Sequence, residues 1–230
     1  MMMKSRTFQK QKFQPVLRLL RVFLRVLRVQ SLPLALALST LAGSMAWADQ
    51  DPYARATFAG GCFWCMEPPY DRLDGVIETI SGFSGGHVSN PSYEDVVRGG
   101  TGHREVVQVI YDPEVVDYDT LLQVFWRNID PLDDGGQFCD RGSAYRTAIF
   151  AHGPEQLRQA RASLDELNHS GRFDEPIVTP IIEFESFYPA EDYHQGYYEK
   201  NPVRYRYYRW RCGRDARLTE LWGEEAGGAP

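Results

Sequence analysis

Runs of alternating and helix-spaced apolar positions divide residues 55–222 into strands and helices that succeed one another without repeat or internal linker. Arg55 to Ala59 reads as a short strand that stops at Gly60-Gly61, a pair suited to a tight turn. A helix-compatible segment follows from Cys62 to Leu73. Pro68 and Pro69 require either a regular helix beginning near Glu67 or an irregular first turn. Val76 to Gly82 predicts a second strand, and Ser92 with Asp95 forms a capping box for a short helix. Arg104 to Tyr111 is the clearest strand. Val107, Val109 and Tyr111 share one face with Glu105, and Val106 and Ile110 lie on the other, which predicts a central position.

Asp117 caps a helix with an apolar stripe of Leu121, Leu122, Phe125, Trp126 and Ile129. A polar loop over 133–143 leads to a strand from Tyr145 to Ala151, and Pro154 opens a further helix. Ile177 to Phe187 reads as one strand, at an edge or bulged because of Pro180. Tyr188 to Lys200 is aromatic and partly helical, and the chain beyond Trp222 reads as a disordered tail. The fold expected is α+β: a single two-layer α/β sandwich with a ferredoxin-like core and long loops.

Residues 1–48 stand apart. They hold eight basic residues and no acid, then an apolar run from Leu32 to Ala42 and Ala46-Trp47-Ala48. This is the order of a secretory signal peptide, with cleavage after Ala48 and export to a periplasm as the expectation. The apolar run is short beside the roughly 20 residues of a spanning helix, which disfavours a membrane-anchored form. The expected division is therefore a leader over 1–48, a catalytic domain over 49–223 and a tail over 224–230. Without the leader the charge is 17 basic against 31 acidic residues, or −14, which argues against nucleic acid as a partner.

All four cysteines, Cys62, Cys65, Cys139 and Cys212, follow the leader. Cys62 comes just after a strand and a double glycine, where a helix N-terminus is expected to lower a thiol pKa. Phe63 and Trp64 read either as core or as an apolar wall beside the thiol. Glu105, a carboxylate in a strand apolar on both faces, reads as a protonated acid with a raised pKa, or as half of an ion pair with Arg104 or Arg146.

Cys62, Phe63, Trp64 and Glu105 in this order resemble the A-type peptide methionine sulfoxide reductases. The resemblance runs from about Thr57 to at least Lys200. It rests on Gly61-Cys62-Phe63-Trp64, Asn90-Pro91-Ser92-Tyr93-Glu94, Gly102-His103-Arg104-Glu105-Val106-Val107 and Tyr111-Asp112-Pro113. Asp140 followed by Tyr145-Arg146, and Tyr188-Pro189-Ala190-Glu191-Asp192-Tyr193-His194-Gln195, complete it. The resemblance implies Cys62 as nucleophile, Glu105 as proton donor, and Tyr93 and Tyr145 as partners of the sulfoxide oxygen. It implies Asp140 as polar support, and Phe63 and Trp64 as the pocket for the substrate methyl. His194 is given a structural role. The substrate implied is the S epimer of methionine sulfoxide, free or in oxidised proteins. The product is methionine, with a sulfenic acid left on Cys62. No tightly bound cofactor or metal is expected; electrons come from a thioredoxin-like dithiol, and the working unit is a monomer.

The chain departs from the family at Cys65, where glycine is frequent, at Cys139, where asparagine is expected, and in lacking a glycine-rich cysteine-bearing tail. Three cysteines are candidates to resolve the sulfenic acid. Cys212 comes first, between arginines on an expected mobile end; Cys65 follows through its Cys-x-x-Cys spacing, then Cys139. Cys65 and Cys139 also read as packed, unreactive thiols. Two rival readings are a thiol–disulfide oxidoreductase using Cys62 and Cys65, and a non-catalytic zinc domain, for which the cysteine spacing is a poor match.

Overall fold

A computed structural model describes residues 52–228; the leader expected over 1–48 lies outside the described residues. The elements begin with β1 (Ala54–Ala59), α1 (Phe63–Asp71), β2 (Val76–Ser84), α2 (Tyr93–Arg98), β3 (Arg104–Tyr111) and α3 (Tyr118–Arg127). A hairpin of β4 (Gly136–Gln137) and β5 (Asp140–Arg141) precedes a 3₁₀ turn over Ser143–Tyr145 and β6 (Ala148–Ala151). After α4 (Pro154–His169) come β7 (Ile181–Glu183), β8 (Phe187–Pro189), α5 (Tyr197–Lys200), α6 (Pro202–Arg211) and α7 (Arg214–Trp222).

The architecture is mixed α/β. Six strands form one sheet in the order β7-β6-β1-β3-β2-β8, antiparallel except for the β6–β7 pair. The expected central position of β3 holds: Val107 sits opposite Phe58 of β1 and Ser81 of β2. Its two faces feed different cores, as the apolar pattern on both sides requires. Val107 and Val109 pack with Phe58, Phe63, Met66 and Leu121, whereas Val106 joins Ala59, Ala148 and Phe150.

Local signals account for most helix starts. The Ser92–Asp95 capping box is complete in both directions. Asp117 Oδ1 accepts from the Thr120 N–H at 2.8 Å, and Leu121, Leu122 and Phe125 are fully buried behind it. In α1 the helix starts at Phe63 and both prolines lie inside it. The irregular first turn is the solution adopted, with the Cys65 N–H bonded to the Cys62 carbonyl at 3.0 Å, an i to i+3 closure.

Three regions differ from the sequence expectation. The single strand expected over Ile177–Phe187 is two short strands at opposite edges of the sheet, β7 and β8. Pro180 precedes β7 and uses its carbonyl to receive the Ile149 N–H. The mobile end expected around Cys212 is instead a helical elbow. Cys212 ends α6, Gly213 turns at φ +67°, and α7 buries Arg214, Leu218 and Trp222. Past α7, Glu225 pairs with Arg127 and Arg172, and the Gly227 N–H donates to the Arg127 carbonyl, so the residues up to 228 fold back on the domain.

Candidate active site

Cys62 occupies the N-cap position of α1, delivered there by β1 and Gly61. Gly61 adopts φ +84°, and a Cβ on it would meet the Gln137 Cβ at 2.5 Å, so this turn needs glycine on two counts. The thiol is 5% exposed and Cys65, one turn on, 2%. The two free thiols face each other, so the ionisation of one bears on the other. Burial raises the Cys62 thiol well above its ordinary value, reinforced by Cys65, Glu105 and Asp140. The neighbouring Cys62 thiol lowers Cys65 to about 6 against the opposing effect of burial, helped by the cations of Arg214 and Arg209. One proton of this thiol pair is thus lost more readily than from an ordinary cysteine, and the other less readily. At the N-cap the favourable helix end is outweighed by a dry setting with two carboxyls nearby.

Glu105 points from β3 to the helix side of the sheet and is 1% exposed. Its Oε2 accepts the Phe63 N–H at 3.1 Å. Among the described residues it has no ion-pair partner, so the pairing with Arg104 or Arg146 is not formed; Arg104 Nη1 is itself buried without a partner. Burial raises the Glu105 carboxyl well above the usual range, only partly offset by that N–H. Its carboxyl therefore keeps its proton to higher pH than an exposed glutamate does and can serve as an acid.

Tyr93 opens α2, and Tyr145 ends the 3₁₀ turn after the β4–β5 hairpin. Their phenols lie near one another and near Glu105, although 52 positions separate them in the chain. Burial and the nearby Glu105 push Tyr93 up to about 12 and raise Tyr145 further, so both remain O–H donors. Phe63 and Trp64 lie beside them. Phe63 packs on Phe83, Tyr93 and His194, and Trp64 stacks on Tyr197 at 3.8 Å. The Trp64 Nε1–H donates to His194 Nδ1 at 3.1 Å. His194 is held within this aromatic group, in keeping with a structural role.

Asp140 accepts a hydrogen bond from Tyr208 of α6, and burial raises its carboxyl. Cys139, just before it, is disulfide-bonded to Cys212, with 4.8 Å between Cα atoms. Cys212 is therefore joined to Cys139 rather than poised over Cys62, and the two free thiols are Cys62 and Cys65. Cys139, Asp140 and Cys212 lie close enough to hold a cation, but their two sulfurs are bonded to each other. That leaves the zinc reading without free thiolates here.

Sequence reasoning missed four neighbours of the thiols. Tyr208 reaches Asp140, Arg209 and Arg214 bring positive charge toward Cys65, and Glu67 is buried behind the pair. Glu67 Oε1 accepts from Ser81 Oγ at 2.8 Å and the Gly196 N–H at 3.2 Å, and burial raises its carboxyl to about 7. The arginines of Arg211-Cys212-Gly213-Arg214 carried the one legible signal. It pointed to Cys212, whereas the charge serves Cys65.

A family model described as peptide methionine sulfoxide reductase matches residues 54–226. The chain is 51% identical over 189 residues to the peptide methionine sulfoxide reductase MsrA of Bacillus pumilus, covering 82% of this chain and 97% of that protein. It is 53% identical over 186 residues to MsrA of Bacillus subtilis, covering 81% and 96%. The MsrA/MsrB protein of Vibrio cholerae is 52% identical over 173 residues, 75% of this chain but 46% of that longer protein. Among solved structures, reduced Mxr1 from Saccharomyces cerevisiae aligns with a TM-score of 0.60 at 34% identity, over 66% of this chain and 87% of that one. Methionine sulfoxide reductase A of Corynebacterium diphtheriae gives 0.60 at 32% identity, over 67% and 78%. With its buried thiol, buried acid and neighbouring phenols at the positions the motifs assign, the chain belongs to the A-type peptide methionine sulfoxide reductase family.

Proposed function

We propose that this protein reduces the S epimer of methionine sulfoxide, free or in oxidised proteins, to methionine, with Cys62 as nucleophile. The observation that carries the reading is the gathering near Cys62 of one buried acid, Glu105, and two neighbouring phenols, Tyr93 and Tyr145. Methionine sulfoxide offers an electrophilic sulfur, a basic oxygen and an apolar methyl. The Cys62 proton passes to the neighbouring Cys65 thiolate, and Cys62 sulfur attacks the substrate sulfur to form an S–S bond. Glu105 protonates the oxygen while the phenols donate to it. The hydroxyl then moves from the substrate sulfur to Cys62 sulfur: the substrate S–O bond and the new S–S bond break, one freed electron pair forms the Cys62 S–O bond, methionine leaves with the other, and Cys62 is left as a sulfenic acid. Phe63 and Trp64 supply the wall for the methyl, and Asp140 supports the polar side of the site.

Cys65 is the neighbour best placed to resolve the sulfenic acid, since it is the other free thiol and lies within the first turn of the helix that Cys62 caps. Its thiol displaces water and forms a Cys62–Cys65 disulfide, which a thioredoxin-like dithiol then reduces. This ordering moves Cys212 behind Cys65, because Cys212 is occupied by Cys139. The order β6-β1-β3-β2, with α1 and α3 as crossovers, supports the ferredoxin-like two-layer description of the core. Export after removal of residues 1–48, a periplasmic setting and a monomeric working unit rest on the sequence pattern.

The test is an assay of wild type on separated S and R epimers of methionine sulfoxide, free and in a peptide. Dimedone trapping and disulfide mapping follow one equivalent of substrate. Conversion of the S epimer alone, with label on Cys62, is expected. Reduction of a model disulfide without sulfoxide turnover would instead favour the thiol–disulfide oxidoreductase reading.

A further inference from the structure

Arg214 is the largest fully buried side chain among the described residues, at 1% exposure. Its Nη2 donates to the Asn128 carbonyl at 2.7 Å, the Gly60 carbonyl at 3.1 Å and the Met66 sulfur at 3.1 Å. Its guanidinium carbon lies 4.4 Å from the centre of the Phe138 ring. Every one of these partners is neutral. The arginines beside it in the chain are matched differently: Arg209 pairs with Asp215 and Arg217 with Asp130. Among the described residues no carboxylate pairs with Arg214. A buried cation with no carboxylate bonded to it is costly, so its retention calls for anions nearby; the half-buried Asp140 is one, without forming an ion pair.

Its contacts bracket the two free thiols. Gly60 lies two residues before Cys62 and Met66 directly follows Cys65. A Cβ on Gly61 would stand 3.7 Å from Arg214 Nη1. The guanidinium therefore sits beneath the turn that carries both sulfurs. We propose that Arg214 is a positioning residue: its buried guanidinium holds that turn and is the counter-ion of the thiolate formed within the Cys62–Cys65 pair. This rests on the thiol-based reading of the site given above.

The other charges around the pair leave this part to Arg214. Glu105 from β3 and Asp140 from β5 oppose a thiolate, and Tyr93, Tyr205 and Tyr208 face the pair as neutral phenols. Arg209 favours a thiolate, but Asp215 takes part of its charge. Arg214 forms no ion pair among the described residues, although Asp140 also feels its charge, and it is anchored on backbone carbonyls that keep it in place when the pair is neutral.

The experiment titrates thiolate absorbance at 240 nm in the full chain with Cys139–Cys212 left oxidised, so that the inner pair gives the thiol signal. Arg214→Gln is expected to move the first midpoint up by about one pH unit, about a tenfold loss of thiolate at a given pH below it. Arg214→Lys, which keeps the charge, is expected to recover at least half of that shift. A folded Arg214→Gln protein with the wild-type midpoint overturns the proposal, as does a Lys variant shifted as far as the Gln variant. Should Arg214→Gln not fold, the wild type decides alone. The Arg214 Nε–H resonance is expected to move with the same midpoint as the thiolate absorbance, and a resonance indifferent to thiol ionisation overturns the idea. Wild-type sulfoxide turnover is read separately, so an absence of reductase activity would sink the functional proposal and leave the thiol titration interpretable.

Discussion

Glu105 Oε2 accepts the backbone N–H of Phe63, the residue that follows Cys62, at 3.1 Å. This bond fixes the acid of the central strand against the first turn of α1. A carboxyl whose burial favours the protonated form therefore stands beside the turn that carries Cys62. Glu105→Gln keeps this acceptor and removes the proton, so turnover is expected to fall about 10²–10⁴-fold with little change in substrate KM. Steady-state kinetics on a protein whose melting is unchanged checks it.

The same arrangement sets the pH dependence. The nucleophile requires loss of one proton from the thiol pair, first given up at Cys65 with a pKa of about 6, and the acid requires Glu105 to keep its own. Activity in kcat/KM is expected to rise through that thiol step and to fall again as Glu105, raised by burial, ionises. In Glu105→Gln the descending limb should vanish; its survival would assign that limb to another group.

Tyr93 and Tyr145 lie near one another with both hydroxyls protonated, so both can donate to a shared acceptor. Replacing either by Phe is expected to lower kcat by about 10–100-fold, somewhat below the loss of a full oxyanion donor because the partner remains. The double variant should lose less than the product of the two single effects, as expected of groups that act on one oxygen.

Cys65→Ser removes the sulfur that neighbours Cys62. One equivalent of methionine per protein is still expected in a single turnover, with a sulfenic acid that persists and can be trapped. Rapid formation of a Cys62–Cys212 disulfide in this variant would show that the elbow opens, and would restore Cys212 as resolver. Replacing both Cys139 and Cys212 by Ser removes a crosslink spanning 73 positions and is expected to cost about 2–4 kcal/mol of stability, read by urea unfolding.

Glu67 gives a stability prediction with a definite sign. Its folded-state pKa of about 7 lies above the ordinary 4.5, so the folded protein binds more protons than the unfolded chain between these values. Stability is therefore expected to fall as pH rises from about 4.5 to 7, by about 1–3 kcal/mol in total. Glu67→Gln should flatten that slope and leave the protein more stable than wild type at pH 8.

How much of this was legible in the sequence follows the range of the interactions. β3 and α3 were readable because their apolar periodicity records a local choice of face, and the Ser92–Asp95 box because its partners are three residues apart. Cys62, Glu105, Tyr93 and Tyr145 were located through motifs. The sense of the thiol ionisation was not, since it depends on arginines about 150 residues away whose side chains turn inward. Nor was the break between β7 and β8, because apolar residues over Ile177–Phe187 fit either one strand or two. The helical elbow at Gly213 was hidden by a run of arginines and tyrosines that carries little periodicity.

The Arg214 contact with Gly60 spans 154 positions. A ribosome releases this chain from its N-terminus, so Cys62 and Cys65 emerge long before α7 is made. Until α6 and α7 are made, the dithiol has neither its buried cation nor the cover of Tyr208. The nascent polypeptide thus carries unpoised cysteines, and the reactive centre comes into being only when α7 docks.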